Sequence, residues 1–124
     1  MTTMTTTDGA RIHYRVQGDK TAAPAVVFLN GFLQTAVYWT AHARRLQHGR
    51  AVLTFDARGQ GESGTGSAAP TWEIHVSDLR ALLDRAGIDR AVLVGLSMGA
   101  YTAAAFAAGH PSRTAGCPWS RATS

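Results

Sequence analysis

A serine framed by glycines, Gly95-Leu96-Ser97-Met98-Gly99, is the stretch of this chain best suited to chemistry. Apolar residues Ala91 to Val94 run into it, and an alanine-rich segment with the composition of a helix, Ala100 to Ala108, runs out of it. Strand, glycine-flanked turn and helix are the context in which G-x-S-x-G has a mechanism. The serine is forced into a strained backbone conformation that lifts its hydroxyl clear of the sheet. Gly95 and Gly99 suit the motif because incoming strand and outgoing helix pass too close for a Cβ. A serine hydroxyl alone is a weak nucleophile at neutral pH, so such a site also needs a base and donors for the developing oxyanion.

The elements that must position this turn are readable in order. Residues 2 to 7 are threonine-rich and predict a short edge strand, Asp8-Gly9 a hairpin turn, and Arg11 to Val16 alternates polar and apolar as a half-buried strand does. Ala25 to Leu29 and Ala51 to Phe55 are continuous apolar runs, the pattern of strands covered on both faces. Between them Tyr38 to Leu46 reads as a helix with Trp39, Ala43 and Leu46 on one stripe. Thr71 is placed to cap a helix carrying Val76, Leu79, Leu83 and Ala86 on its apolar face, and Gly87 ends it. Alternating strands and helices from Leu29 onward predict an α/β chain: a mostly parallel sheet with helices on both faces.

The 124 residues suit one domain or part of one. Net charge is +4, and eleven of the twelve basic residues are scattered arginines. Arg44, Arg45 and Arg50 form the one local cluster; without interleaved aromatic residues it reads as a solvated helix end, not a nucleic-acid surface. Cys117 is the sole cysteine, so no internal disulfide and no cysteine-based metal site is expected, and no cofactor is implied. No run reaches membrane-spanning length and the N-terminus has no apolar leader core, which predicts a cytoplasmic location without a membrane partner.

Gly59-Gln60-Gly61-Glu62-Ser63-Gly64 satisfies the dinucleotide-binding pattern G-x-G-x-x-G literally. A dinucleotide site needs that loop to open a helix whose N-terminus meets the pyrophosphate, whereas this loop continues to Pro70. The nucleotide reading is therefore set aside.

Asn30-Gly31-Phe32, Asp56-x-Arg58-Gly59-x-Gly61-x-Ser63 and Gly95-Leu96-Ser97-Met98-Gly99 each follow an apolar run, in that order. As a set they resemble the α/β-hydrolase superfamily over residues 10 to about 114, with Asn30 replacing the usual histidine. The resemblance is to small-substrate members: carboxylic ester hydrolases, enol-lactonases, and C–C-bond hydrolases or cofactor-free peroxidases. It implies Ser97 as nucleophile, the backbone N–H groups of Phe32 and Met98 as oxyanion hole, and Gly31, Gly95 and Gly99 as motif support. Each fixed oxyanion donor lowers the barrier by about 3–4 kcal/mol. Serine at 97 argues against the epoxide-hydrolase and dehalogenase branches, which attack with a carboxylate. Asp56 and Arg58 are expected to form a charge-paired turn beneath the site.

In this fold the acid and the histidine follow the serine along the chain. After Ser97 the sequence holds no Asp or Glu, and its one later histidine, His110, ends the helix that Ser97 begins. His13, His42, His48 and His75 precede the serine and read as surface or boundary residues. The expectation is a truncated α/β-hydrolase fold, residues 1–115, lacking the C-terminal strands, followed by an unrelated tail, 116–124. Such a chain would hold the nucleophile without acid or base and be inactive alone. The alternative is a non-catalytic remnant that binds a small ligand or a partner chain. Either way Ala91 to Val94 is expected to expose an unpaired edge, a route to self-association.

Overall fold

Six strands and three α-helices make up the computed structural model, which describes residues 2–19, 24–32 and 34–117. They are β1 (Thr2–Thr5), β2 (Arg11–Gln17), β3 (Ala25–Leu29), α1 (Thr40–Leu46), β4 (Val52–Phe55), α2 (Trp72–Ala86), β5 (Ala91–Gly95), α3 (Met98–Gly109) and β6 (Thr114–Gly116). The sheet order is β1-β2-β4-β3-β5-β6. β4, β3, β5 and β6 run parallel, while β1 and β2 form an antiparallel hairpin added beside β4. The mostly parallel α/β architecture read from the sequence is the one observed.

The apolar runs explain the layering. Every residue of β3 and of β4 is buried, since both faces of these strands are covered. On one face Leu79, Leu82 and Leu83 of α2 and Phe106 of α3 pack against Ile12, Val27, Leu53 and Leu93. Each such large side chain contributes about 1.5–3 kcal/mol by leaving water. On the other face Trp39, which ends the 3₁₀ turn before α1, and Ala43 of α1 cover Val26, Phe28 and Val52, and the Trp39 ring stacks on Phe28 at 4.6 Å. This second layer is small, so Val92 and Val94 of β5 are only half-buried.

β3 feeds β4 on one side and, through α2, β5 lies on its other side. The crevice at this switch of direction, beyond the carboxyl ends of β3 and β5, is where open α/β sheets place their ligands.

Three expectations need correction. The helix read from Tyr38 begins as a 3₁₀ turn, Ala36–Trp39, and Leu46 is not on its buried stripe but 37% exposed at the far end. Asp56 does not pair with Arg58, as set out below. The edge of β5 is not fully open, because Thr114–Gly116 pairs parallel to Ala91 and Val92. The polar composition of that segment hides a strand that is held by anchoring. Arg113 donates to the carbonyl oxygens of Asp89 and Ile88 and pairs with Asp84, and the Thr114 hydroxyl donates to His110. Residues 118–124 of the expected tail lie outside the described residues.

Candidate active site

Ser97 stands between the end of β5 and the first residue of α3 with φ +54° and ψ −115°. Among the described residues it is the one non-glycine with positive φ. Such a conformation costs about 1–3 kcal/mol and persists because the surroundings over-determine it. Those surroundings are backbone. A Cβ on Gly95 would sit 2.5 Å from the Ala100 nitrogen, and one on Gly99 would overlap the carbonyl of Leu29 and lie 2.7 Å from that of Asn30. The Leu96 N–H donates to the Leu29 oxygen at 3.1 Å. The strand-to-helix turn is thus pressed onto the end of β3, and Ser97, itself exposed, has no choice but to face outward.

The loop after β3 is equally fixed. The Gly31 N–H donates to Gln34 Oε1 at 2.9 Å, and the Gln34 N–H returns to the Gly31 oxygen. Asn30 is buried and fully engaged: its amide donates to the Phe55 carbonyl at 2.9 Å and its Oδ1 accepts from Trp39 Nε1 at 2.6 Å. Asn30 therefore ties β3 to the end of β4 and to the 3₁₀ turn. Gly31 lies against Leu96, whose oxygen a Cβ there would approach to 3.3 Å. The six residues read from the sequence (Gly31, Phe32, Gly95, Ser97, Met98 and Gly99) consequently meet at one crevice. Met98 is the first residue of α3, so its N–H has no acceptor within the helix and lies at the positive end of the helix dipole.

Phe32, 66% exposed, and Met98 border two adjoining hollows of about 560 and 630 Å³. His75 of α2 borders both, with Trp72 on one side and the Gly59–Pro70 loop on the other. Burial pushes the His75 imidazole below its usual pKa; the negative Asp78 opposes this shift and the positive Arg58 adds to it. By sequence His75 reads as a surface or boundary residue, and only the docking of α2 brings it here. His42 belongs instead to the aromatic cluster of Phe28, Tyr38 and Trp39. His110 packs on Phe106 at 4.7 Å, at the opposite end of a 12-residue helix from Ser97, about 18 Å away. Tyr38 is exposed and Trp39 is core, whereas Phe32 lines the hollow beside Met98.

Beneath the site, the Arg58 guanidinium is shared between Asp8 in the β1–β2 turn and Asp78 of α2, at 2.9 Å from Asp78 Oδ1. Both carboxylates hold the guanidinium above its ordinary pKa, and Arg58 in turn holds the Asp8 carboxyl well below the carboxylate range. Asp56 instead accepts the N–H groups of Ala36 (2.7 Å) and Glu62 (2.9 Å). Ser63 donates to the Asp56 carbonyl and accepts from the His13 N–H. The loop from Gly59 closes on itself through Gly59 N–H to Gly64 oxygen, and α2 starts only at Trp72, so no helix end meets it. One signal for the Arg58 network was available: Asp78 stands on the face of α2 that buries Leu79, Leu82 and Leu83, and a buried carboxylate needs a cation.

Among the described residues no group of three or more His, Cys, Asp or Glu side chains is placed to hold a metal ion, and no helix is long and apolar enough to cross a membrane.

Residues 24–117 match the sequence family described as alpha/beta hydrolase fold. The chain is 39% identical over 98 residues to an sn-1-specific diacylglycerol lipase of Mus musculus, covering 77% of this chain and 31% of the lipase. It is 37% identical over 97 residues to epoxide hydrolase A of Mycobacterium tuberculosis, covering 76% and 30% respectively. In structure it is similar to MGS-M2, an α/β hydrolase from a Medee basin deep-sea metagenome library, with a TM-score of 0.85 and 29% identity over 94% of this chain and 42% of that one. The chain thus spans about a third of the length of these two curated relatives. Strand order, glycine-packed serine turn and sequence match agree: this chain belongs to the α/β-hydrolase fold family.

Proposed function

We propose that this chain carries the nucleophile and oxyanion half of a serine hydrolase acting on a carboxylic ester, lactone or related carbonyl compound. The observation that carries the reading is the positive φ of Ser97, held by the glycine contacts of Gly95 and Gly99. Ser97 Oγ attacks the carbonyl carbon, and the N–H groups of Phe32 and Met98 receive the charge that builds on the carbonyl oxygen. Two of the named relatives are a lipase and an epoxide hydrolase, so the scaffold serves more than one reaction. A hydroxyl at position 97 favours acyl transfer over carboxylate attack on an epoxide. No Asp or Glu follows Ser97 and His110 stands at the far end of α3, so this chain lacks an acid and a base in the family's order, and alone it is expected to turn over slowly or not at all. The part of β5 beyond Val92, which β6 does not reach, supports self-association or completion by further strands.

Labelling with a reactive fluorophosphonate tests the reading. Modification of wild type that maps to Ser97 and disappears in Ser97→Ala is the expected result. A chain that stays unlabelled while a longer relative is modified under the same conditions has the motif without the reactivity.

A further inference from the structure

A second concavity, of about 160 Å³, lies between α1 and the β2–β4 ladder and shares no residue with the hollows beside Met98. Arg15 and Thr54 are partners in the antiparallel register and line it together. From α1, Thr40, Arg44 and Gln47 face the same space at spacings of four and three, the spacing of one helix face. Gln17 Nε2 donates to Gln47 Oε1 at 2.9 Å, which closes one end and leaves the Gln47 NH₂ group to donate.

Two features separate this groove from an ordinary solvated surface. Thr54 is a strand residue 94% buried (6% exposed), and its hydroxyl, without a hydrogen-bond partner among the described residues, is open to the groove. The hydroxyl is thus reached only through the groove and is free to donate to or accept from a ligand seated there. The groove also concentrates positive charge: no Asp or Glu lines it, and Arg15 and Arg44 form no ion pair among the described residues, unlike Arg58 and Arg113. Two guanidinium forks, a hydroxyl and a carboxamide are donors suited to a tetrahedral oxyanion, for which arginine is the favoured partner.

We propose that this groove binds a phosphoryl group, with Arg15 and Arg44 donating to its oxygens and the Thr54 hydroxyl and Gln47 amide completing its contacts. The groove, about 160 Å³ and open to solvent on one side, has room for a phosphate or a small phosphomonoester. The site does not depend on Ser97 being a nucleophile.

The test is an NMR titration of the whole chain with inorganic phosphate and with glycerol 3-phosphate, against sodium chloride at equal ionic strength. Saturable shifts of the Arg15, Thr54 and Arg44–Gln47 amides are expected with the phosphates alone. Affinity should fall at least tenfold in the Arg15→Ala/Arg44→Ala double variant and severalfold in the near-isosteric Thr54→Val, and be unchanged in Arg80→Ala on the exposed face of α2. Equal affinities for the two phosphates identify the free ion as sufficient, and tighter glycerol 3-phosphate binding identifies a phosphomonoester. Shifts that grow linearly with phosphate and match those of chloride overturn the proposal. So does undiminished affinity in the folded double variant, and wild-type titration alone decides if that variant does not fold.

Discussion

The carbonyl of Leu29, at the end of β3, occupies the place that a Cβ on Gly99 would need. The contact is backbone against backbone, so neither side can turn away. It fixes how closely α3 docks on the sheet and, through the Leu96 N–H bond to the same carbonyl oxygen, where the serine turn stands.

Gly99→Ala is therefore expected to destabilise the chain by about 3 kcal/mol, the upper part of the range for overpacking, because the clash meets backbone. Gly109→Ala, at the other end of α3, meets nothing within 4 Å and should be neutral or gain about 0.5–1 kcal/mol from helix propensity. Denaturant unfolding of the two variants checks this; equal losses would contradict the role assigned to the Leu29 contact.

Ser97→Gly removes a side chain from a left-handed conformation and should stabilise the fold by about 1 kcal/mol or more while abolishing labelling. Melting temperature and probe labelling, measured on the same sample, should move in opposite directions. A Ser97→Gly variant less stable than wild type would mean that the turn is not strained.

Arg58 joins the β1–β2 turn to α2, so Arg58→Ala leaves Asp78 buried without its cation and should cost about 3–5 kcal/mol. The same network sets the acid limit. Asp8 is held below its unfolded value of about 3.9, so its contribution is complete above that pH and is lost as pH falls below it. Acid-induced unfolding followed by circular dichroism should show a shallower decline below pH 4 in Asp8→Asn than in wild type.

His75 is shifted in the same direction by burial. Its folded state resists protonation, so stability is full above the unfolded value of about 6.5 and declines as pH falls from there towards the folded pKa. His75→Gln should remove that part of the pH dependence between pH 7 and 5. Identical slopes for the two proteins in that window would show that His75 does not titrate against burial.

The sequence by itself determined the elements and the serine turn, because those signals are local. Apolar runs mark β3 and β4, the Thr71 hydroxyl accepts from the Ile74 N–H as a cap should, and Gly87 ends α2 with φ +72°. Gly95 and Gly99 announced close packing because no other residue tolerates it. What lay beyond reach joins residues distant in the chain. Arg58 meets Asp8 across 50 residues and Asp78 across 20; the helical face of Asp78 signals the need for a cation, but nothing local says which one meets it. β6 is a strand because Arg113 is anchored to the end of α2 and the loop that follows, not because Thr114 to Gly116 has the composition of one. The placement of His75 beside Met98, and of Arg15 and Thr54 opposite Arg44, depends on where α2 and α1 dock on the sheet. Tertiary structure decided these relationships, since a side chain's neighbours across a sheet are set by packing and register rather than by its own neighbours in the chain.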